Sequence, residues 1–269
     1  MSESTLNLTS TQLQAEVAFF LGWGRGSAYG EPAWTTRQQQ GITDCVNSGL
    51  RMFYFPTPLP GETSSYDWSF MRPTRQVAMQ TGVRVVPLPD DFGGLEGDLF
   101  LVNSTNAFIQ VKQTNEGEIN AKYFAYPSMT GQPIMFAVQQ PSTMGAAKSQ
   151  RAQLYIFPES DQAYTLQFQY YFLPDSLSVS FPYALGGTTH AETIKAAVKA
   201  AAELHQDNQP GPMAQLFIQR MQASISLDRR NKGQTFGMNN DPGYNRGRYT
   251  GRLLGNIQVP ITFYGSSPG

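Results

Sequence analysis

The sequence predicts an α+β protein: a four-helix bundle with an inserted antiparallel β-domain and an extended C-terminal arm. Three observations predict it. Apolar residues recur at helical spacing near both ends of the chain. The central part switches to a two-residue period. From Asp228 to Leu253 aliphatic side chains all but disappear. The expected organisation is a bundle of residues 1–56 with 186–230, a linker over 57–74, a β-domain over 75–185 and an arm over 231–269.

The first helix is expected in "TQLQAEVAFFLG", where Thr11 and Gln14 make a capping-box pattern and Leu13, Val17, Phe20 and Leu21 share a face. Gly22 is a natural stop. A second helix runs from Thr35, paired with Gln38 as a capping box, to Pro56. Its face is Ile42, Cys45, Val46, Gly49, Leu50 and Phe53. Gly41 and Gly49 each weaken a helix by about 1 kcal/mol relative to Ala, which points to close packing. "PTPLPGETSSYDWSFMRP" reads as an extended surface linker.

Seven β-rich runs follow: "VRVVPL", "DLFLVN", "AFIQVKQ", "AKYFAY", "PIMFAVQQ", "AQLYIFP" and "YTLQFQYYFLP". In the last, Tyr164, Leu166, Phe168 and Tyr170 alternate with polar neighbours. A third helix, "TTHAETIKAAVKAAAELHQ", is expected to be capped by Thr189 and Glu192, with Ile194, Ala197, Val198, Ala201 and Leu204 on its face. A fourth carries Met213, Phe217, Met221 and Ile225 at four-residue steps and ends in Arg229 and Arg230, as its dipole prefers. Neither helix pair covers its apolar face alone, so the two pairs are expected to meet.

Composition limits the chemistry. Hydrophobic content is 40% and charged content only 14%, so much of the polar surface is amide and hydroxyl, types that pack against a neighbour at little desolvation cost. That favours a subunit of an assembly. Net charge is −1, so no global field selects nucleic acid or membrane. Cys45 is the only cysteine, which excludes an intrachain disulfide and a cysteine-based metal site. No basic-plus-apolar leader opens the sequence and no window approaches ~20 apolar residues, so a soluble chain without a membrane partner is expected. His190 and His205 lie on one predicted helix, about 22 Å apart at 1.5 Å per residue, too far to share a metal. "GWGRG" lacks the Lys-Ser/Thr of a phosphate loop. Asp90, Asp91, Glu96 and Asp98 in "DDFGGLEGD" do not fit calcium-loop spacing, and the expectation there is an acid-rich turn. A cation-dependent hydrolase built on those acids is the alternative from another class. Asp44 beside Cys45 reads as a helix surface position next to a core one. No catalytic residue, metal ligand or cofactor is expected.

Several phrases in order, "GLRMFYFPTPLPG", "YDWSFMRP", "LPDDFGGLEGDL", "YIFPESDQAYTLQFQYYFLPDSLS", "HAETIKAAVKAAAE" and "ASISLDRR", resemble bacteriophage head-to-tail connector proteins. The likeness is to the adaptor, tail tubular or head-completion proteins that sit beneath the portal, and it covers roughly residues 10–245. It implies a structural virion protein, assembled in the bacterial host cytoplasm. It further implies a twelve-fold ring between portal and tail or nozzle protein, with DNA passing through the lumen. Another neck or tail-tube component, such as a stopper or tail terminator, is the alternative within the class.

Two features gain meaning beside that resemblance. Ala196, Ala197, Ala200 and Ala201 allow close approach on two sides of their helix, either as an inter-subunit face or as ordinary bundle packing. In the tail, Arg229, Arg230, Lys232, Arg246, Arg248 and Arg252 stand against Asp241 alone, a basic arm for a protein partner or for DNA phosphates. Protein docking fits better, because DNA must slide through a connector. Beyond it Ile257, Val259, Ile261 and Phe263 alternate with polar residues and Pro260, the pattern of an edge strand in search of a sheet. The expected acceptor is the portal.

Overall fold

A computed structural model describes residues 3–60, 63–102, 108–140 and 152–231. Its elements, in chain order, begin with helices α1 (Ser10–Phe20) and α2 (Thr36–Tyr54). Strands β1 (Thr74–Met79), β2 (Val85–Pro87), β3 (Phe92–Val102) and β4 (Phe108–Gln113) follow, then α3 (Glu116–Ala125). Next come β5 (Thr130–Gly131), β6 (Met135–Gln139), β7 (Gln153–Phe157), β8 (Glu159–Ser160) and β9 (Tyr164–Phe172). Helices α4 (Ala191–Asp207) and α5 (Pro212–Asn231) complete the described chain, and the described residues lie within one compact unit.

This is not the expected four-helix bundle with an antiparallel insert. It is a β-rich α+β fold with five α-helices among the described residues and a seven-stranded mixed sheet of order β1-β9-β3-β4-β6-β7-β2. The mixing comes from β4 and β6, which pair in parallel through Lys112–Met135 and Gln113–Phe136. Parallel neighbours require a crossover, and α3 supplies it. The run "AKYFAY", expected as a strand, therefore folds as the second half of a helix. Asn115 caps it by accepting from the Glu118 N–H, and Ile119 and Tyr123 bury one face against Ala137 and Phe157.

The sheet must curl. Laid flat, its two edge strands would stand about 29 Å apart, whereas the six steps from Met79 to Val85 reach at most about 21 Å. Met79 and Val86 accordingly face one shared core with Leu99, Leu101, Leu154 and Leu166. Ser160 clamps the short connection: its hydroxyl donates to the Gln80 carbonyl at 2.7 Å and accepts from the Val83 N–H at 3.2 Å. The alternation read in β9 is realised, with Tyr164, Leu166, Phe168 and Tyr170 all buried. The "FGGLEG" segment is not a turn but the first half of β3, irregular in register against β9 between Phe92 and Gly94 and between Glu96 and Phe100.

The helices form a layer centred on α4. It packs extensively against α2 and α5 and also against α1, while α2 and α5 share no extensive contact. Gly49 explains how close α2 approaches: a Cβ there would lie 2.5 Å from the Val198 Cα. On the α5 side the Thr193 and Ser224 hydroxyls hydrogen-bond at 2.6 Å. Glu203, 5% exposed, reaches from α4 to accept from the N–H groups of Gly211, Met213 and Ala214, so it caps α5.

Helix starts differ from expectation in two places. The α1 capping box is Thr9 with Gln12, not Thr11 with Gln14. At α4 the N-cap is His190, without a side-chain cap bond, and Thr189 instead donates to the Gly186 carbonyl. The α2 box of Thr35 and Gln38 forms as read.

The remaining apolar face of the helix layer is covered from an unexpected direction. In the stretch read as a surface linker, Trp68 and Met71 have no exposed surface and join Phe53, Leu50, Ile194 and Met221 in one core. The Trp68 indole donates to the Phe53 carbonyl at 2.8 Å and its ring lies 4.7 Å from that of Phe53. Helices and sheet are thus joined by a buried aromatic strap.

Candidate interaction surfaces

The strap is held by one carboxylate. Asp228, 2% exposed in the last turn of α5, accepts from the Tyr66 hydroxyl at 2.8 Å, from the Ser69 N–H at 3.0 Å and from the Ser69 hydroxyl. Beside it His190, 3% exposed, is enclosed by the rings of Phe53, Trp68 and Phe70. Burial pushes the His190 imidazole below its usual range, and the neighbouring Asp228 charge opposes that only partly. Burial and the Asp228 bond both raise the Tyr66 phenol, so it stays protonated as a donor. Sequence reasoning missed this cluster. The signal was present: an acid in the last turn of a helix opposes the dipole, and an indole rarely sits in an exposed linker.

The groups considered for catalysis are occupied structurally. Asp91 pairs with Arg75 at 3.4 Å and accepts from the Tyr170 hydroxyl at 3.1 Å, and Glu96 pairs with Arg72 at 3.0 Å. Asp90 and Asp98 are exposed beside them, and among the described residues no group of three His, Cys, Asp or Glu could hold a metal ion. The Cys45 thiol is buried and pushed up to about 11 by that burial and by Asp44, which leaves it protonated and inert. His205 is exposed near the far end of α4 from His190. The "GWGRG" loop is an ordered corner: Gly26 has φ +79°, and a Cβ there would strike the Trp34 ring at 2.7 Å. A depression of 370 Å³ on α2 is lined by Gln39, Gln40, Thr43 and Asp44, without a nucleophile or base.

What the surface offers instead is apolar and cationic contact. Val179 and Phe181 are 99% and 73% exposed on a turn closed by the Ser178 N–H on the Phe181 carbonyl and by the Phe181 N–H on the Ser178 hydroxyl. That turn is fixed to the start of α1, where the Ser10 N–H donates to the Pro182 carbonyl at 2.7 Å and Thr9 bridges Tyr183. Leu6, 77% exposed, precedes the same bridge. A second apolar group lies at the C-terminal end of α3: Phe124, in its last turn, is 92% exposed, followed by Tyr126 and Met129. Near α1, Glu16 is bridged by Arg25, Lys195 and Lys199, at 3.8, 3.3 and 2.7 Å. Burial alone would raise its carboxyl, but the lysines outweigh that and hold it below the usual range.

The residues singled out in the sequence are distributed as follows. Ala196, Ala197, Ala200 and Ala201 are at most 5% exposed, and the first three lie in the core of the helix layer. Arg229 and Arg230 are exposed in the last turn of α5, with the Arg229 guanidinium 5.4 Å from the Tyr66 ring centre. Lys232, Arg246, Arg248, Arg252, Ile257, Val259, Ile261 and Phe263 lie outside the described residues. Among the described residues no helix is long and apolar enough to cross a membrane.

Two comparisons bear on this arrangement. The family model described as SU10 adaptor protein matches residues 8–243, spanning both the helix layer and the sheet. No curated protein matches the chain.

Proposed function

The chain belongs to the SU10 adaptor protein family, and we propose from this that it is the head-to-tail adaptor of a phage virion, a ring of about twelve copies. In this reading the ring sits between the portal and the tail or nozzle protein, and genomic DNA passes through its lumen. The observation that carries the proposal is the family match along residues 8–243. Support comes from the surface: rigidly presented apolar side chains such as Val179, Phe181 and Phe124 suit protein partners better than solvent. The role is structural, and subunits assemble in the host cytoplasm before joining the particle.

The C-terminal arm makes the attachment. Its basic part, from Arg229 to Arg252, meets acidic protein surface. Ile257, Val259, Ile261 and Phe263 add a strand to an edge on the portal, because an alternating segment with Pro260 needs an edge to satisfy its backbone. Deleting residues 246–269 tests this. The truncated chain is expected to keep its circular dichroism and melting temperature but to fail to attach to portal-bearing heads. Attachment at the wild-type level would sink the docking role.

A further inference from the structure

The helix layer has two outer edges, and their chemistry is matched. At one edge α5 packs against α4 and, through Met221 and Asp228, against the Tyr66–Met71 strap. Its outward stripe of Gln215, Ile218, Gln219, Gln222 and Ser226, flanked by Leu216 and Ala223, is exposed. An ordinary surface helix carries charge on such a stripe. Between Pro212 and Leu227 the only charge is Arg220, set beside the stripe and held at 3.7 Å by Glu192 of its own subunit. At the other edge α2 presents Arg37, Gln40, Asp44 and Arg51, with Thr43, Asn47 and Ser48 between them. From Gln38 to Leu50 its only charge is Asp44, at the depression lined by Gln39, Gln40 and Thr43. The helices have 19 and 20 residues, about 30 Å each, so the two faces can lie alongside one another.

We infer that neighbouring copies join by setting the outer face of α5 on one subunit against the outer face of α2 on the next. The inference rests on the ring reading above and names its contact. Two neutral amide-and-hydroxyl faces lose little on desolvation, and Leu216 and Ile218 add apolar area. Asp44, midway between Arg37 and Arg51 on α2, is set to meet Arg220 beside the α5 stripe, and that contact fixes the register. Because the two faces differ, the contact is head-to-tail: it propagates from copy to copy and closes as a ring, whereas a self-complementary face would stop at a dimer. The α2–α4–α5 layer then continues around the ring as a wall of helices. This also accounts for the burial of the α4 alanines: α4 is the middle of the wall, not its seam.

Neck complexes purified from particles carrying the chain test it. With Asp44→Cys and Arg220→Cys in one chain, a short bismaleimide is expected to give a ladder of covalent multimers beyond the dimer, and neither single variant any. Products that stop at the dimer, or no product in particles that contain the chain, would overturn the assignment. A charge reversal gives a second measurement that does not depend on cross-linker reach. Arg220→Glu should lower incorporation about tenfold at an unchanged circular dichroism spectrum, and Asp44→Arg added to it should restore the level. Unchanged incorporation of the single variant, or no recovery in the double, would count against the contact. Absence of the wild-type chain from particles would instead sink the adaptor reading itself, so the two failures are distinguishable.

Discussion

Asp228 stands where a helix disfavours an acid, between Leu227 and the two arginines that the dipole welcomes. Its position makes sense only through Tyr66 and Ser69, which lie 162 and 159 residues away in sequence. One carboxylate satisfies a phenol, a hydroxyl and a backbone N–H inside a nearly dry site. Replacing it with Ala leaves three donors without their acceptor, at an expected cost of about 3 kcal/mol. Asp228→Asn keeps the shape and one acceptor oxygen, and should lose roughly half as much. Urea unfolding of the two variants checks this; equal stability of Asp228→Ala and wild type would show that the strap is held by its aromatic packing alone. The sequence around Asp228 does not name its partners. The contact's signature is a pair of misfits, an acid at a helix end and a tryptophan in a linker, that only long-range geometry reconciles.

Elements with a strong period were legible. Ile42, Cys45, Val46, Leu50 and Phe53 on α2 and the alternation of β9 are buried as their spacing requires. Gly49 was legible too: a helix tolerates it where a backbone passes close, and the Val198 Cα does. Gly49→Ala therefore sets a gain of about 1 kcal/mol in helix propensity against overpacking of about 3 kcal/mol on a backbone that cannot swing aside. The net expectation is a loss of about 2 kcal/mol, read as a lowered melting temperature; a stabilised variant would refute the close packing of α2 on α4. The elements that escaped were decided by topology. "AKYFAY" has strand composition but must cross between the parallel β4 and β6, and the crossover makes it helical. "TRQVAM" carries too little apolar content to read as a strand, yet β9 offers it an edge to pair with.

At the scale of the molecule, the order of elements was legible in outline, helices towards both ends and most strands between them, whereas the way they are joined was not. The bundle expectation failed because four helices do not close on one another here: α4 is flanked by α2 and α5, and the space a bundle would fill is taken by Trp68, Met71 and Ala184. The surfaces were the least legible part. The α4 alanines, readable as a seam or as ordinary packing, are buried, and the exposed Val179, Phe181 and Phe124 carry no periodic signal because they sit in turns or at a helix end. An adaptor must be self-contained before it meets its partners, and the buried strap and the capped α5 provide that. The surface features that fit the proposed assembly are its charge-poor outer helix faces and exposed apolar turns. The claim that these edges serve a ring between portal and tail is tested most directly by imaging the virion neck with this subunit labelled. The account predicts a closed ring of about twelve labelled copies beneath the portal; a label elsewhere in the particle, or a single copy at the neck, would contradict it.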